Sequence, residues 1–159
     1  MSFKITLLKA DITTLQVDAI VNAANAQLRQ GGGVCGAIFK AAGSAELQRE
    51  CDLCGGCPTG DAVVTGAYRI TNVRSIIHAV GPIVLARNVT EANQRDLSTC
   101  YARALDLAKE NGLRTIVCLL WFARLYDCSR PFRAFPPPST VTPWTKPLRL
   151  HLEQSTIGS

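Results

Sequence analysis

The sequence predicts an α/β fold. Short apolar runs that read as strands alternate with two amphipathic stretches that read as helices, and a glycine triplet separates an early strand from the first helix.

The first strand is expected near Lys4–Leu8. The second, near Ala19–Asn22, rests on Ala19, Ile20 and Val21, an apolar run too short for a helix and followed by the amides Asn22 and Asn25 where the chain should leave a sheet. A helix is expected near Val34–Arg49, because Val34, Ala37, Ile38, Ala41 and Ala42 recur at helical spacing after the glycines. Strands follow near Ala62–Tyr68 and Ser75–Val80. The second helix, near Glu91–Glu110, opens on Thr90-Glu91 and carries Leu97, Tyr101, Ala104, Leu105 and Ala108 along one side. It stops at Asn111-Gly112, a favourable C-terminal pair. The last strand is expected near Thr115–Leu120. No internal repeat, heptad series or interdomain linker interrupts this order before the tail.

A chain of 159 residues with 47% hydrophobic content can bury one good core and does not suggest two domains. Residues 1–120 read as that core and residues 121–159 as a divergent tail. The tail holds six of the eight prolines, including Pro136-Pro137-Pro138, and lacks a helical stripe. It reads as disordered or foreign to the fold, as a frameshift or an alternative exon after about Ile116 would leave it. The N-terminus reads as a strand rather than a leader, and no apolar stretch approaches membrane-spanning length. The expectation is a soluble monomer of the cytosol or nucleus with no membrane partner. Seven cysteines spread through apparent strands and helices fit buried reduced thiols better than a disulfide framework, which leaves the sequon Asn88-Val89-Thr90 idle.

The formal charge of +5 invites a nucleic-acid reading. Arg124, Arg130, Arg133, Lys146 and Arg149 against Asp127 and Glu153 place three of those charges after Val117, leaving +2 for the rest. With no basic stripe interleaved with aromatics, direct nucleic-acid recognition is not expected.

Function is expected at the glycine triplet. In open α/β sheets, ligands bind outside the carboxyl ends of strands, and Gly31, Gly32 and Gly33 before a helix let backbone N–H groups approach a phosphate without Cβ clashes. A nucleotide diphosphate is the natural guest. Cys51-x-x-Cys54-x-x-Cys57 has a spacing that can clasp zinc or an iron–sulfur cluster. Its fourth ligand is not evident, since Cys35 or His78 would have to arrive by tertiary placement, so neither a metal nor a cofactor is expected.

Leu8-Lys9-Ala10-Asp11-Ile12-Thr13, the Asn22/Asn25 strand end, Gly31 to Gly36, Cys57-Pro58-Thr59-Gly60-Asp61-Ala62 and His78-Ala79-Val80-Gly81-Pro82 occur in this order. On these five segments the chain resembles the ADP-ribose-binding macrodomain family over roughly its first three-quarters. The resemblance implies a mixed β-sheet sandwiched between helices, with the C-terminal portion incomplete here. It implies ADP-ribose or mono-ADP-ribosylated protein as the partner.

Asp11 carries a carboxylate, which accepts hydrogen bonds but cannot donate them, as recognition of an exocyclic amine requires; by resemblance it reads adenine, with a turn or helix cap as the plain alternative. Asn22 and Asn25 each offer a donor and an acceptor, suiting ribose hydroxyls or a positioned water, and by resemblance Asn25 contacts the distal ribose. The expected ligand contacts are therefore Asp11, Ile12, Asn22, Asn25, Gly31, Gly32, Gly33, Val34 and Tyr126. Asn25 and Cys35 are the candidate catalytic positions.

Two departures weigh on activity. Hydrolytic members of the family carry an aspartate where this chain has Cys35, and commonly a histidine where it has Phe39. A neutral thiol hydrogen-bonds weakly and does not orient water as a carboxylate would. After Thr115–Cys118, the family's diphosphate loop of serine, threonine and glycine reads here Phe122-Ala123-Arg124-Leu125-Tyr126, of which only Tyr126 fits. Arg124 stands where glycine should let the backbone approach phosphate. The leading expectation is an ADP-ribose-binding module. The alternatives are a hydrolase of ADP-ribosyl or O-acetyl-ADP-ribose esters using water positioned by Asn25, and a truncated product without function.

Overall fold

The computed structural model describes residues 2–8, 10–84, 89–119 and 147–153, which form one mixed sheet covered by helices on both faces. In chain order the elements are β1 (Ser2–Leu7), a 3-10 turn (Ile12–Thr14), β2 (Val17–Ala23), α1 (Gly33–Ala42), α2 (Ser44–Leu53), β3 (Ala62–Gly66), β4 (Val73–Ala79), α3 (Glu91–Glu110), β5 (Thr115–Leu119) and β6 (Pro147–Glu153). The sheet runs β1-β6-β5-β2-β4-β3. At its centre β2 pairs parallel with β4 and β5; β3 lies antiparallel to β4, and β6 antiparallel to both β5 and β1. The carboxyl ends of β1, β2, β4 and β5 therefore meet at one edge.

Strand alternation sorts the core into two layers. Ile20, Ile76 and Val117 pack with Ile38, Phe39 and Leu47 of α1 and α2, while Ala19, Val21, Ile77 and Ile116 pack with Leu97, Cys100, Ala104 and Leu107 of α3. Ile20, Ile38, Phe39, Leu47 and Ile76 are fully buried. Each such side chain stabilises the fold by roughly 1.5–3 kcal/mol before conformational entropy is counted. At the amino edge, Asp18 accepts the backbone N–H groups of Arg114 at 2.7 Å and Thr115 at 2.9 Å, fastening β5 to β2. Burial acts to raise its carboxyl, but those two N–H groups, the Thr115 hydroxyl and Arg74 outweigh it and hold Asp18 below the usual carboxylate value.

Three expectations need correction. The helix expected near Val34–Arg49 is two helices, because Gly43 adopts φ +90° between them and an added Cβ there would stand 2.7 Å from Glu46 Oε2. The apolar stripe continues into Leu47 and Cys51, which hides the break from a periodicity reading. The strand expected to reach Tyr68 stops at Gly66: Tyr68 takes φ +51° and donates its hydroxyl to Glu50. No strand was expected after Leu120, yet Pro147–Glu153 is β6. Its signal is the alternation of Leu148, Leu150 and Leu152 with Arg149, His151 and Glu153, overshadowed by the prolines around it. The remaining strands and α3 lie where expected, α3 opening on a reciprocal Thr90/Asn93 capping box.

Candidate functional site

The glycine segment leaves the carboxyl end of β2 and opens α1. Gly32 is the N-cap, with no side-chain cap, and Gly33 follows at φ +58°. The first N–H groups of a helix lack partners within it, so Gly33, Val34 and Cys35 present donors at the positive end of α1. Among the described residues, a Cβ added at Gly32 or Gly33 would meet nothing within 4 Å, whereas one at Gly36 would stand 2.6 Å from the Gly31 carbonyl oxygen. The two parts of the motif thus differ: Gly36 is required by the packing of the loop on its own helix, and Gly32 and Gly33 are uncrowded among the described residues.

Beneath this loop runs a buried polar chain. Asn22, Thr65 and His78 are buried polar side chains on β2, β3 and β4. Asn22 Nδ2 donates to His78 Nδ1 at 3.1 Å. An amide N–H can only donate, so Nδ1 accepts and the ring proton sits on Nε2, 2.9 Å from Thr65 Oγ1. The Thr65 hydroxyl donates in turn to the Gly66 carbonyl at 3.3 Å. Burial pushes His78 down to about 4, with Glu50 opposing weakly, so the ring is neutral at ordinary pH. Phe39 meets it edge-on at 6.2 Å. Asn22 Nδ2 also points at Cys35 Sγ, 3.6 Å away, and Asn22 Oδ1 is buried without a partner among the described residues.

The expected site residues fall into three groups. Gly31, Gly32, Gly33, Val34 and Cys35 lie together at the start of α1, with Cys35 itself buried. Asn25 is exposed at the carboxyl edge, but its amide is engaged with its own turn: Oδ1 accepts Arg29 N–H at 3.0 Å and Nδ2 donates to the Arg29 carbonyl at 2.7 Å. Asn22 is interior, not at the surface where a ribose would reach it. Asp11 caps the 3-10 turn, accepting Thr13 N–H at 2.9 Å and the Thr13 hydroxyl at 2.7 Å, which is the local role weighed against adenine recognition. Ile12 is buried in the core layer that also holds Cys35 and Ile38. Tyr126 and Arg124 lie outside the described residues.

The cysteine triplet does not converge. Cys51 Sγ faces His78 Nε2 at 3.9 Å, Cys54 Sγ the Glu50 carbonyl at 3.5 Å, and Cys57 Sγ the Pro58 carbonyl at 3.7 Å. Among the described residues no three His, Cys, Asp or Glu side chains are grouped to hold a metal ion. Burial raises the Cys51 thiol to about 12 and the Cys57 thiol to about 11, so both are protonated at neutral pH. The other two motifs frame the site through the backbone: Cys57 N–H binds the Ala26 carbonyl at 2.8 Å, Gly60 N–H the Val80 carbonyl at 2.8 Å, and Ala24 N–H the Ala79 carbonyl at 3.0 Å. Sequence reading missed the roles of His78 and Thr65; a histidine and a threonine at inward positions of neighbouring strands were the available signal.

Residues 21–126 match the model of a family described as Macro domain. The chain is 52% identical over 113 residues to an uncharacterized protein of Fusobacterium nucleatum, covering 70% of this chain and 62% of that protein. It is 48% identical over 113 residues to the ADP-ribose glycohydrolase MACROD2 of Xenopus laevis, covering 71% of this chain and 26% of that protein. It therefore spans less than two thirds of the length of each. Among solved structures, the Trypanosoma brucei macrodomain in complex with ADP-ribose is similar with a TM-score of 0.59 and 42% identity, over 69% of this chain and 43% of that one.

Proposed function

Because the chain belongs to the macro domain family, we propose that it binds ADP-ribose, free or as the mono-ADP-ribosyl group of a modified protein. One observation carries the reading: three consecutive glycines open α1 at the carboxyl edge of the parallel strands, and no described residue comes within 4 Å of a Cβ placed at Gly32 or Gly33. The exposed helix N–H groups and the helix dipole suit a diphosphate. Asp11, on the chain that leaves β1 at the same edge, supplies an acceptor for the adenine amine once its turn is in place. The ADP-ribose complex of the trypanosomal neighbour supports the same ligand.

The experiment is calorimetric titration of the chain with ADP-ribose, AMP and NAD. ADP-ribose is expected to bind in preference to the other two, and Asp11→Ala to cost about 1–3 kcal/mol of affinity through one lost charge-assisted contact. Equal or absent binding of all three ligands overturns the proposal.

A second reading is hydrolysis of the ADP-ribosyl ester, which draws support from the glycohydrolase relative. Against it stands Cys35, a thiol where a water-orienting carboxylate is needed. The proposal includes a monomer working in the cytosol or nucleus without nucleic acid or membrane; among the described residues no helix is long and apolar enough to cross a membrane.

A further inference from the structure

The approach to the glycine loop is held from two sides. From within, Asn25 takes both backbone groups of Arg29. From α2, Gln48 Oε1 accepts Gln30 N–H at 3.0 Å and Gln48 Nε2 donates to the Leu28 carbonyl at 3.2 Å. One side-chain amide thus fills a donor and an acceptor on either side of Arg29, as a neighbouring strand would. The same Nε2 donates to Asp52 Oδ1 at 2.9 Å, one turn along α2, and Asp52 in turn faces the Arg29 guanidinium at 3.3 Å. The i, i+4 spacing of Gln48 and Asp52 places both on the same side of the helix.

The segment needs holding. Leu28 is buried at φ +55°, a left-handed conformation that a residue other than glycine keeps only when its surroundings enforce it. Gly31 follows Gln30 directly, so what fixes Gln30 fixes the entry to the loop, and three glycines have no intrinsic preference to fix it themselves. A loop ordered in advance loses less entropy when a ligand arrives.

Resting on the ADP-ribose reading of that loop, we propose that Gln48 is a positioning residue: its amide, braced by Asp52, holds residues 28–30 in the shape that presents the Gly31–Gly33 backbone to a diphosphate. Gln48 touches no reacting atom and acts only through the backbone it clasps.

The test is titration with ADP-ribose of the unsubstituted chain, Gln48→Ala and Gln48→Glu, together with amide hydrogen exchange at Gln30 before ligand is added. Gln48→Ala is expected to weaken binding about tenfold and to speed exchange at Gln30, while amides of β2 and β4 keep their protection. A merely structural role would lower the melting temperature and leave the affinity of folded protein unchanged. Gln48→Glu is expected to resemble Gln48→Ala at about pH 7.5, because the carboxylate cannot donate to Leu28 and repels Asp52. Unchanged affinity in Gln48→Ala, or unsubstituted affinity in Gln48→Glu at about pH 7.5, overturns the inference while leaving the functional reading intact. If the unsubstituted chain binds no ADP-ribose, the functional reading fails and this inference with it.

Discussion

His78 makes the stability of the protein depend on pH through one side chain. Its ring titrates near 4 in the folded chain and near its ordinary value of 6.5 when unfolded. Between those values the unfolded chain binds more protons, so stability rises with pH. The contribution is complete above about 6.5 and drains away as pH falls toward 4, a loss on the order of 3 kcal/mol. Urea denaturation at about pH 7.5 and pH 4.5 measures it, and His78→Gln is expected to flatten the difference. Cys35 supports a second expectation. Its Sγ already lies 3.6 Å from the Asn22 amide at the positive end of α1, so the carboxylate of Cys35→Asp meets a donor and a favourable dipole. Release of ADP-ribose from a mono-ADP-ribosylated acidic peptide is expected to rise by ~10²-fold in that variant; an unchanged rate would show that this position does not limit the reaction. At this scale the sequence reveals residue type but not facing. Asn22 and Asn25 look alike on the page, yet Asn22 continues the inward parity of Ile20 on β2 and Asn25 lies past its end. Gln48 gives no sign at all, because it clasps backbone atoms 18 and 20 residues away.

The break between α1 and α2 brings Gln48 against the loop. Gly43 does this by a conformation that L side chains resist, and its missing Cβ leaves room for Glu46 and Arg69. Gly43→Ala is expected to destabilise the chain by about 1–3 kcal/mol in thermal melting, through strain at positive φ and displacement of the Arg69–Glu46 pair. Gly32→Ala offers the contrast: its φ of −87° is ordinary and no described residue crowds it. Its stability should stay within about 0.5 kcal/mol of the parent, while ADP-ribose affinity falls because the methyl group occupies the diphosphate's approach. Helix periodicity located α1 and α3 well, since each turn repeats the same local demand. It could not separate α1 from α2, because both helices bury their stripes against the same sheet face and the apolar spacing runs on through the bend.

Across the whole molecule, the α/β class was legible from alternation, because strand and helix periods are local properties. Strand order was not, since pairing joins segments far apart in the chain. The edge where four strands end could be anticipated from the glycine motif, but not that β6 would stand between β1 and β5. Leu150 lies opposite Ile5 on one side and Ile116 on the other. Leu150→Pro removes an N–H from a strand flanked on both sides and is expected to cost on the order of 3 kcal/mol. Faster amide exchange along β1 and β5 would register it, with β2 and β4 spared. The pairing of Ser2 with Glu153 also sets a schedule for synthesis. β1 leaves the ribosome on the order of ten seconds before the residues that will hydrogen-bond to it. β5 emerges late in that interval, so for its last few seconds, while residues 120–146 are read, β5 stands as a bare edge able to pair with any extended segment nearby. The speed at which a ribosome reads the stretch between β5 and β6, and whether a chaperone shields the edge meanwhile, would then govern how much of each batch of chains closes its own sheet rather than joining another's.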